Sequence, residues 1–228
     1  MYECTFVQMA TLTIAVLNQK GGVGKTSLAV NLGAAAHLAG RRTLIIDMDR
    51  QGSAFDWSSA RREGSKLDGL AVVRADRALP VARLREMSAG YDVVILDGPP
   101  RLGDVTRAAA CAADVVLVPV QPGPFDYWAA SETLELLNAA DEMRAELGRR
   151  PVVRRFVVNR ASRGTVLARE ASGALEGSAP IAGVVHQRIA FAESSAVGES
   201  VVTTDPHGAA ALEIGRLWRA VRRMAEAA

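Results

Sequence analysis

One run of seven residues constrains this chain more than any other: Lys20-Gly21-Gly22-Val23-Gly24-Lys25-Thr26. Upstream of it, Thr13-Ile14-Ala15-Val16-Leu17 has the continuous apolar character of a strand buried on both faces. Downstream, Thr26-Ser27-Leu28-Ala29-Val30-Asn31-Leu32 reads as the first two turns of a helix. A strand that turns through glycines into a helix start aims several backbone N–H groups at one spot. Those amides and the positive end of the helix dipole favour an anion there. Gly21, Gly22 and Gly24 give the backbone its freedom, with Val23 between them and Ser27 just beyond. Lys25 has the length to reach β- and γ-phosphates, and the Thr26 hydroxyl can ligate Mg²⁺. The pattern therefore predicts a site for ATP with Mg²⁺.

The remaining sequence alternates strand-like and helix-like segments. Apolar runs at Leu12–Leu17, Thr43–Ile46, Leu70–Val73, Asp92–Leu96, Val115–Pro119, Val152–Val158 and Ile181–Val185 predict strands. Helical patterns fall near Thr26–Ala39, Leu79–Ala89, Val105–Ala112, Tyr127–Leu147, Thr165–Leu175 and Ala209–Ala225. Such alternation predicts an α/β fold, a mainly parallel sheet with helices on both faces. No internal repeat or low-complexity linker divides the 228 residues, so one domain spanning 1–228 is expected, with residues 1–11 a loose extension. The stretch Gly52–Gly69 is the least regular of the first half and is expected to be a surface excursion.

Composition narrows the function classes. Apolar residues make up 49% and charged residues 23%, which suits a globular protein and not a disordered one. The net charge of +2 excludes a polycation, so any nucleic-acid binding must come from local clustering. Two cysteines far apart, Cys4 and Cys111, read as reduced thiols. His37, His186 and His207 have no metal-ligand spacing. No signal peptide and no apolar run of membrane-spanning length is visible, which predicts a cytoplasmic protein.

Two acidic stations end strand-like runs. One is Leu44-Ile45-Ile46-Asp47-Met48-Asp49-Arg50-Gln51, the other Val93-Val94-Ile95-Leu96-Asp97-Gly98-Pro99-Pro100. Carboxylates at strand carboxyl ends lie close to a phosphate loop, where a metal needs anionic or water-bridged ligands. Four apolar residues followed by Asp97 is the Walker B pattern, whose carboxylate holds a Mg²⁺-bound water. Asn159 follows another apolar run. Its amide can pair with a purine's acceptor and donor together, or it can be an ordinary strand-end turn residue.

In the phosphate loop, Gln19 stands where the usual pattern has glycine, and Lys20 follows it. This Lys-Gly-Gly-x-Gly-Lys-Thr form resembles the deviant Walker A loop of the ParA/MinD family, and the likeness extends over roughly residues 12–226. It is closest to the short ParA-type partition ATPases without an N-terminal helix-turn-helix domain. The resemblance implies that Lys20 reaches across a two-fold interface to the other subunit's nucleotide. Segment Asp47–Gln51 resembles the family's switch I, with Arg50 where proline is usual. That implies an Asp49 that orients the attacking water and an Asp47 that supports the Mg²⁺ shell. Asn159 falls where the family has a purine-contacting Asn. Implied for the whole chain are an ATP-state homodimer, weak ATP hydrolysis stimulated by a ParB-like adaptor, non-specific DNA binding on the nucleoid, and plasmid or chromosome partition or cargo positioning.

The last helical segment puts Ile214, Leu217, Trp218 and Val221 on one core-facing stripe. Arg216, Arg219, Arg222 and Arg223 fall largely on other faces, and Arg188 matches the same DNA-binding region of the family. Three readings stay open for these arginines: a solvated face, a DNA-phosphate patch, and a membrane-surface helix of the MinD kind. The weakly apolar ending Met224–Ala228 argues against the third, and no membrane partner is expected. A metabolic P-loop enzyme acting on a small molecule is a further alternative. It would need an acceptor pocket that the sequence does not reveal.

Overall fold

The β-branched runs form seven strands: β1 (Leu12–Val16), β2 (Thr43–Asp47), β3 (Ala71–Arg74), β4 (Val93–Asp97), β5 (Val115–Val120), β6 (Val153–Ala161) and β7 (Ile181–His186). The helices are α1 (Lys25–Leu38), α2 (Ser53–Ser59), α3 (Val81–Ser88), α4 (Asp104–Ala112), α5 (Pro124–Glu146), α6 (Ile189–Ala196), α7 (Val201–Thr204) and α8 (Ala209–Glu226). The computed structural model describes residues 11–101, 103–162 and 179–227.

All strand pairs are parallel and form one sheet in the order β3-β2-β4-β1-β5-β6-β7. Side chains alternate between two cores, as the period of a strand demands. Ile14, Val16, Ile45, Ile95 and Leu117 enter one core, covered by Leu28 and Leu32 of α1 and by α8. Ala15, Leu17, Leu44, Ile46, Val94 and Leu96 enter the other, covered by α3, α4 and α5. The expected stripe of α8 is the buried one: Ile214, Leu217, Trp218 and Val221 are at most 5% exposed. Full burial of such side chains stabilises by about 1.5–3 kcal/mol each.

The order of the strands positions the site. From β1 the chain builds to one side through β2, β3 and β4, then to the other through β5, β6 and β7. Ligands bind at such switch points, outside the carboxyl ends of the strands. The register brings Val16, Asp97 and Asp47 level across three neighbouring strands, at the mouth of that crevice.

Three features depart from the sequence expectation. Gly52–Gly69 is not merely a surface excursion, because Ala54, Trp57 and Leu67 in it are core residues and α2 forms within it. Helices α6 and α7 have eight and four residues, too short for periodicity to reveal. Strand β6 runs on to Ala161 through an irregular register with β7, so Asn159 lies inside a strand end and not beyond it. Residues 1–10 with Cys4, and the predicted helix Thr165–Leu175, lie outside the described residues. Thr11 is tied down, its hydroxyl donating to the Tyr91 carbonyl at 2.8 Å. Cys111 is buried. No helix among the described residues is long and apolar enough to cross a membrane.

Candidate functional site

Between β1 and α1 the chain makes the expected glycine turn. Gly22 and Gly24 have φ of 75° and 91°, the left-handed region that side chains disfavour. At Gly24 space is decisive as well: a Cβ would lie 2.3 Å from Nδ2 of Asn159. Neighbours hold the loop from three sides. Asn18 Nδ2 donates to the Pro119 carbonyl at 2.8 Å while its Oδ1 accepts from Lys20 N at 2.9 Å. Gln121 Nε2 donates to Gly22 O at 3.1 Å. Asn159 Nδ2 donates to Val23 O at 2.7 Å. Helix α1 starts at Lys25 with no side chain capping it, so its first amides are left for an anion.

Lys25 is only 7% exposed, and its Nζ donates to the Lys20 carbonyl at 3.0 Å across the mouth of the loop. Burial lowers its pKa, opposed by the charges of Asp97 and Asp49. Asp97, at the end of β4, is 1% exposed, and among the described residues neither carboxylate oxygen accepts a hydrogen bond of good geometry, the Thr26 hydroxyl being its nearby donor. Burial pushes its pKa from 3.8 to about 7, against the nearby Thr26 hydroxyl and Lys25. An orphaned buried carboxylate facing a hydroxyl and an ammonium is a site built for a cation. Residues Thr26 and Asp97 thus fit the Mg²⁺ expectation.

Asp47 does not fit it in the same way. Its Oδ1 accepts from Asp49 N at 3.1 Å, and its Oδ2 accepts from Ala54 N and Phe55 N at 2.9 and 3.0 Å. The carboxylate caps α2 from the end of the preceding strand and shapes the turn that carries Asp49. It organises that turn through three backbone amides, and Oδ1, with one accepted bond, keeps a lone pair that can accept from a metal-bound water. Asp49 is half-buried, with Oδ1 accepting from Gln51 N at 3.1 Å. The amide of Gly98 donates to Val16 O at 3.2 Å. Gly98 is required for packing, since a Cβ would meet a Leu17 methyl at 2.4 Å.

Lys20 forms an ion pair of 2.8 Å with Asp126 of α5, with side-chain exposures of 39% and 8%. Asn159 is 5% exposed, and its amide nitrogen is turned onto the loop. It also walls a cleft of about 600 Å³ beside α1, with Ser27, Leu28, Arg160, Gln187 and Phe191. A second cleft of about 370 Å³ lies under the end of α8, lined by Trp218 and Arg222, and includes neither Lys25 nor Asp97. Sequence reasoning alone does not reach Asp126, Asn18 or Gln121. Lys20 and Asp126 are 106 positions apart, and no local pattern links them.

Residues 14–201 match the CobQ/CobB/MinD/ParA nucleotide binding domain. The chain belongs to that family. The chromosome-partitioning ATPase Soj of Thermus thermophilus is similar to it, 32% identical over 242 aligned positions and 93% of each chain. Maintenance of carboxysome distribution protein A of Halothiobacillus neapolitanus is 34% identical over 139 positions, 59% of this chain and 62% of that protein. The solved ATP complex of a Cyanothece McdA variant covers 96% of this chain and 97% of its own, with a TM-score of 0.73 at 17% identity, a likeness of fold. Members of the ParA/MinD family are P-loop ATPases, and this chain is one of them.

The arginines expected to contact DNA divide into two groups. Arg216, Arg219 and Arg223 recur at helical spacing along one side of α8, away from its buried stripe. Arg222 is half-buried, 3.6 Å from Glu226. Arg188 lies elsewhere, its guanidinium donating to both oxygens of Glu213 at 2.6 and 2.8 Å. His186 is bound to the same carboxylate. With its charge matched and its side chain 17% exposed, Arg188 ties the turn after β7 to α8 and is not a free cation.

Proposed function

We propose that this ATPase is a dimerising switch of the partition and cargo-positioning kind. Two copies would close around two ATP molecules, bind DNA non-specifically, and separate when a partner protein stimulates hydrolysis. The observation that carries the reading is the convergence of Lys25, Thr26, Asp49 and Asp97 on one glycine loop with Lys20 at its mouth. The family relationship to a chromosome-partitioning ATPase and to a carboxysome-distribution protein supports the two kinds of cargo.

Each residue then has a role. The amides of Gly21 to Ser27 would cradle the phosphates, and the buried Lys25 ammonium would offset charge on the γ-phosphate. Thr26 and Asp97 would hold Mg²⁺, which supplies charge neutralisation at the phosphate oxygens. Asp49 would orient the attacking water, with Asp47 fixing its turn. The cleft walled by Asn159 has room for a purine, and Asn159 would act there by bracing Val23 as well as by touching the base. Lys20 would exchange Asp126 for the partner's nucleotide when the dimer closes. Loss of the γ-phosphate removes what holds these elements together, which is how hydrolysis would release the dimer.

The arginine-bearing side of α8 supports DNA as the surface that the ATP state grips, so that the protein would work in the cytoplasm on the nucleoid. The triple variant Arg216→Ala/Arg219→Ala/Arg223→Ala is expected to weaken ATP-dependent DNA binding by roughly 30-fold or more. The slope of log affinity against log salt should fall by about one per lost phosphate contact. ATP turnover without DNA should be unaltered. A mobility-shift titration at several salt concentrations checks this. Unchanged binding, or binding to anionic liposomes in place of DNA, would overturn the DNA assignment. Turnover that needed an added small-molecule acceptor would favour a metabolic enzyme instead.

A further inference from the structure

The turn that carries Asp49 is a four-residue β-turn. Gly52 N donates to Asp49 O at 3.0 Å, which makes Arg50 the first of its two central residues. Gly52 has φ of 70° and is the N-cap residue of α2, while Gln51 N is held by the Asp49 carboxylate. A second strand end grips this turn. Arg74, the last residue of β3, lies in register with Asp47. Its Nη2 donates to the Arg50 carbonyl at 2.9 Å. Its guanidinium covers Gly52 so closely that a Cβ there would lie 3.1 Å from Cζ and 3.3 Å from Nε. Next to it, Ala75 N donates to Asp47 O at 2.7 Å.

We propose that Arg74 is a positioning residue for ATP hydrolysis, bracing the Asp49–Gly52 turn so that the Asp49 carboxylate keeps its direction. The proposal rests on the reading of Asp49 as the water-orienting group. Arg50 brings no rigidity of its own to this turn, and its amide makes no hydrogen bond among the described residues. A planar fork laid over the turn and hydrogen-bonded to its carbonyl supplies the missing restraint from outside. Proline at the first central position would supply it from inside, by fixing φ where no N–H is needed. Brace and proline are therefore interchangeable by geometry, and this gives the test.

The full-length chain is compared with Arg74→Ala and with Arg50→Pro/Arg74→Ala. Amide exchange at Gln51 and Gly52 is measured without nucleotide, and kcat and KM are measured with Mg²⁺ and ATP. Arg74→Ala is expected to speed exchange at those two amides about fivefold and to lower kcat by roughly fivefold, leaving KM for ATP within about twofold. Adding Arg50→Pro should restore both exchange and kcat, which a general loss of stability would not allow. Parental exchange or parental kcat in Arg74→Ala overturns the role, as does a double variant that recovers neither. A parent chain with no ATP turnover at all would instead remove the reading of Asp49, and the exchange data would still show whether the brace exists.

Discussion

Asp97→Asn is expected to abolish ATP turnover, by roughly a hundredfold or more, and yet to raise the melting temperature of the nucleotide-free protein at pH 8. The second effect follows from linkage. In the folded chain Asp97 has its pKa raised by burial from 3.8 to about 7. Between those values the folded state binds more protons than the unfolded state, so stability falls as pH rises across that window. Three pKa units at about 1.4 kcal/mol each amount to ~4 kcal/mol of cost at pH 8. An asparagine removes the charge but leaves a buried amide, which costs ~1–3 kcal/mol when unsatisfied. A net gain of ~2 kcal/mol corresponds to a rise of roughly 5 °C for a chain of this size. At pH 5 the parental carboxyl is protonated, and the advantage should disappear. Thermal unfolding of both proteins from pH 5 to 8 checks this. A difference between them that did not depend on pH would contradict the assignment of Asp97 as a buried, cation-awaiting carboxylate.

Lys25→Ala should reduce turnover by roughly a hundredfold or more and weaken ATP binding at least about tenfold. The ammonium is enclosed at 7% exposure and donates to the Lys20 carbonyl. A phosphate entering the loop would meet a charge already positioned and partly stripped of water, where electrostatic interactions are strong. Lys25→Arg should fail to rescue, because a planar guanidinium does not fit a slot shaped for a compact ammonium. Binding of a fluorescent ATP analogue and phosphate release are the two readouts. Turnover within threefold of the parent in Lys25→Ala would remove Lys25 from the chemistry.

The parts legible in the sequence are those written in local pattern. Runs such as Val93–Leu96 suit strands buried on both faces, and the glycines at positions 22 and 24 mark left-handed turns beside a helix start. The parts that are not legible depend on partners that no local pattern names. Asp47 reads as support for the Mg²⁺ shell, from its strand end and the switch I resemblance. What the pattern does not show is that it also accepts from the first amides of α2, a seven-residue helix that lacks a side-chain cap from its own N-cap residue. Arg188 reads as a surface cation, yet Glu213, 25 positions away, holds it. Asn159 has a place at the cleft that pattern suggests, but the choice of Val23 O for its amide nitrogen depends on how β6 abuts the loop. Charge and hydrogen-bond donors can be read from a sequence, whereas whether they are already satisfied is decided by tertiary packing.

Closure of two chains around ATP is the central claim, and the variant Asp49→Ala is expected to isolate it by blocking hydrolysis while leaving Lys20, Lys25 and Asp97 in place. Sedimentation velocity of this variant with Mg²⁺ and ATP is expected to show a dimer, and with Mg²⁺ and ADP a monomer. Lys20→Ala added to it should return the ATP sample to monomer. A monomer in ATP and ADP alike would contradict the dimerising switch.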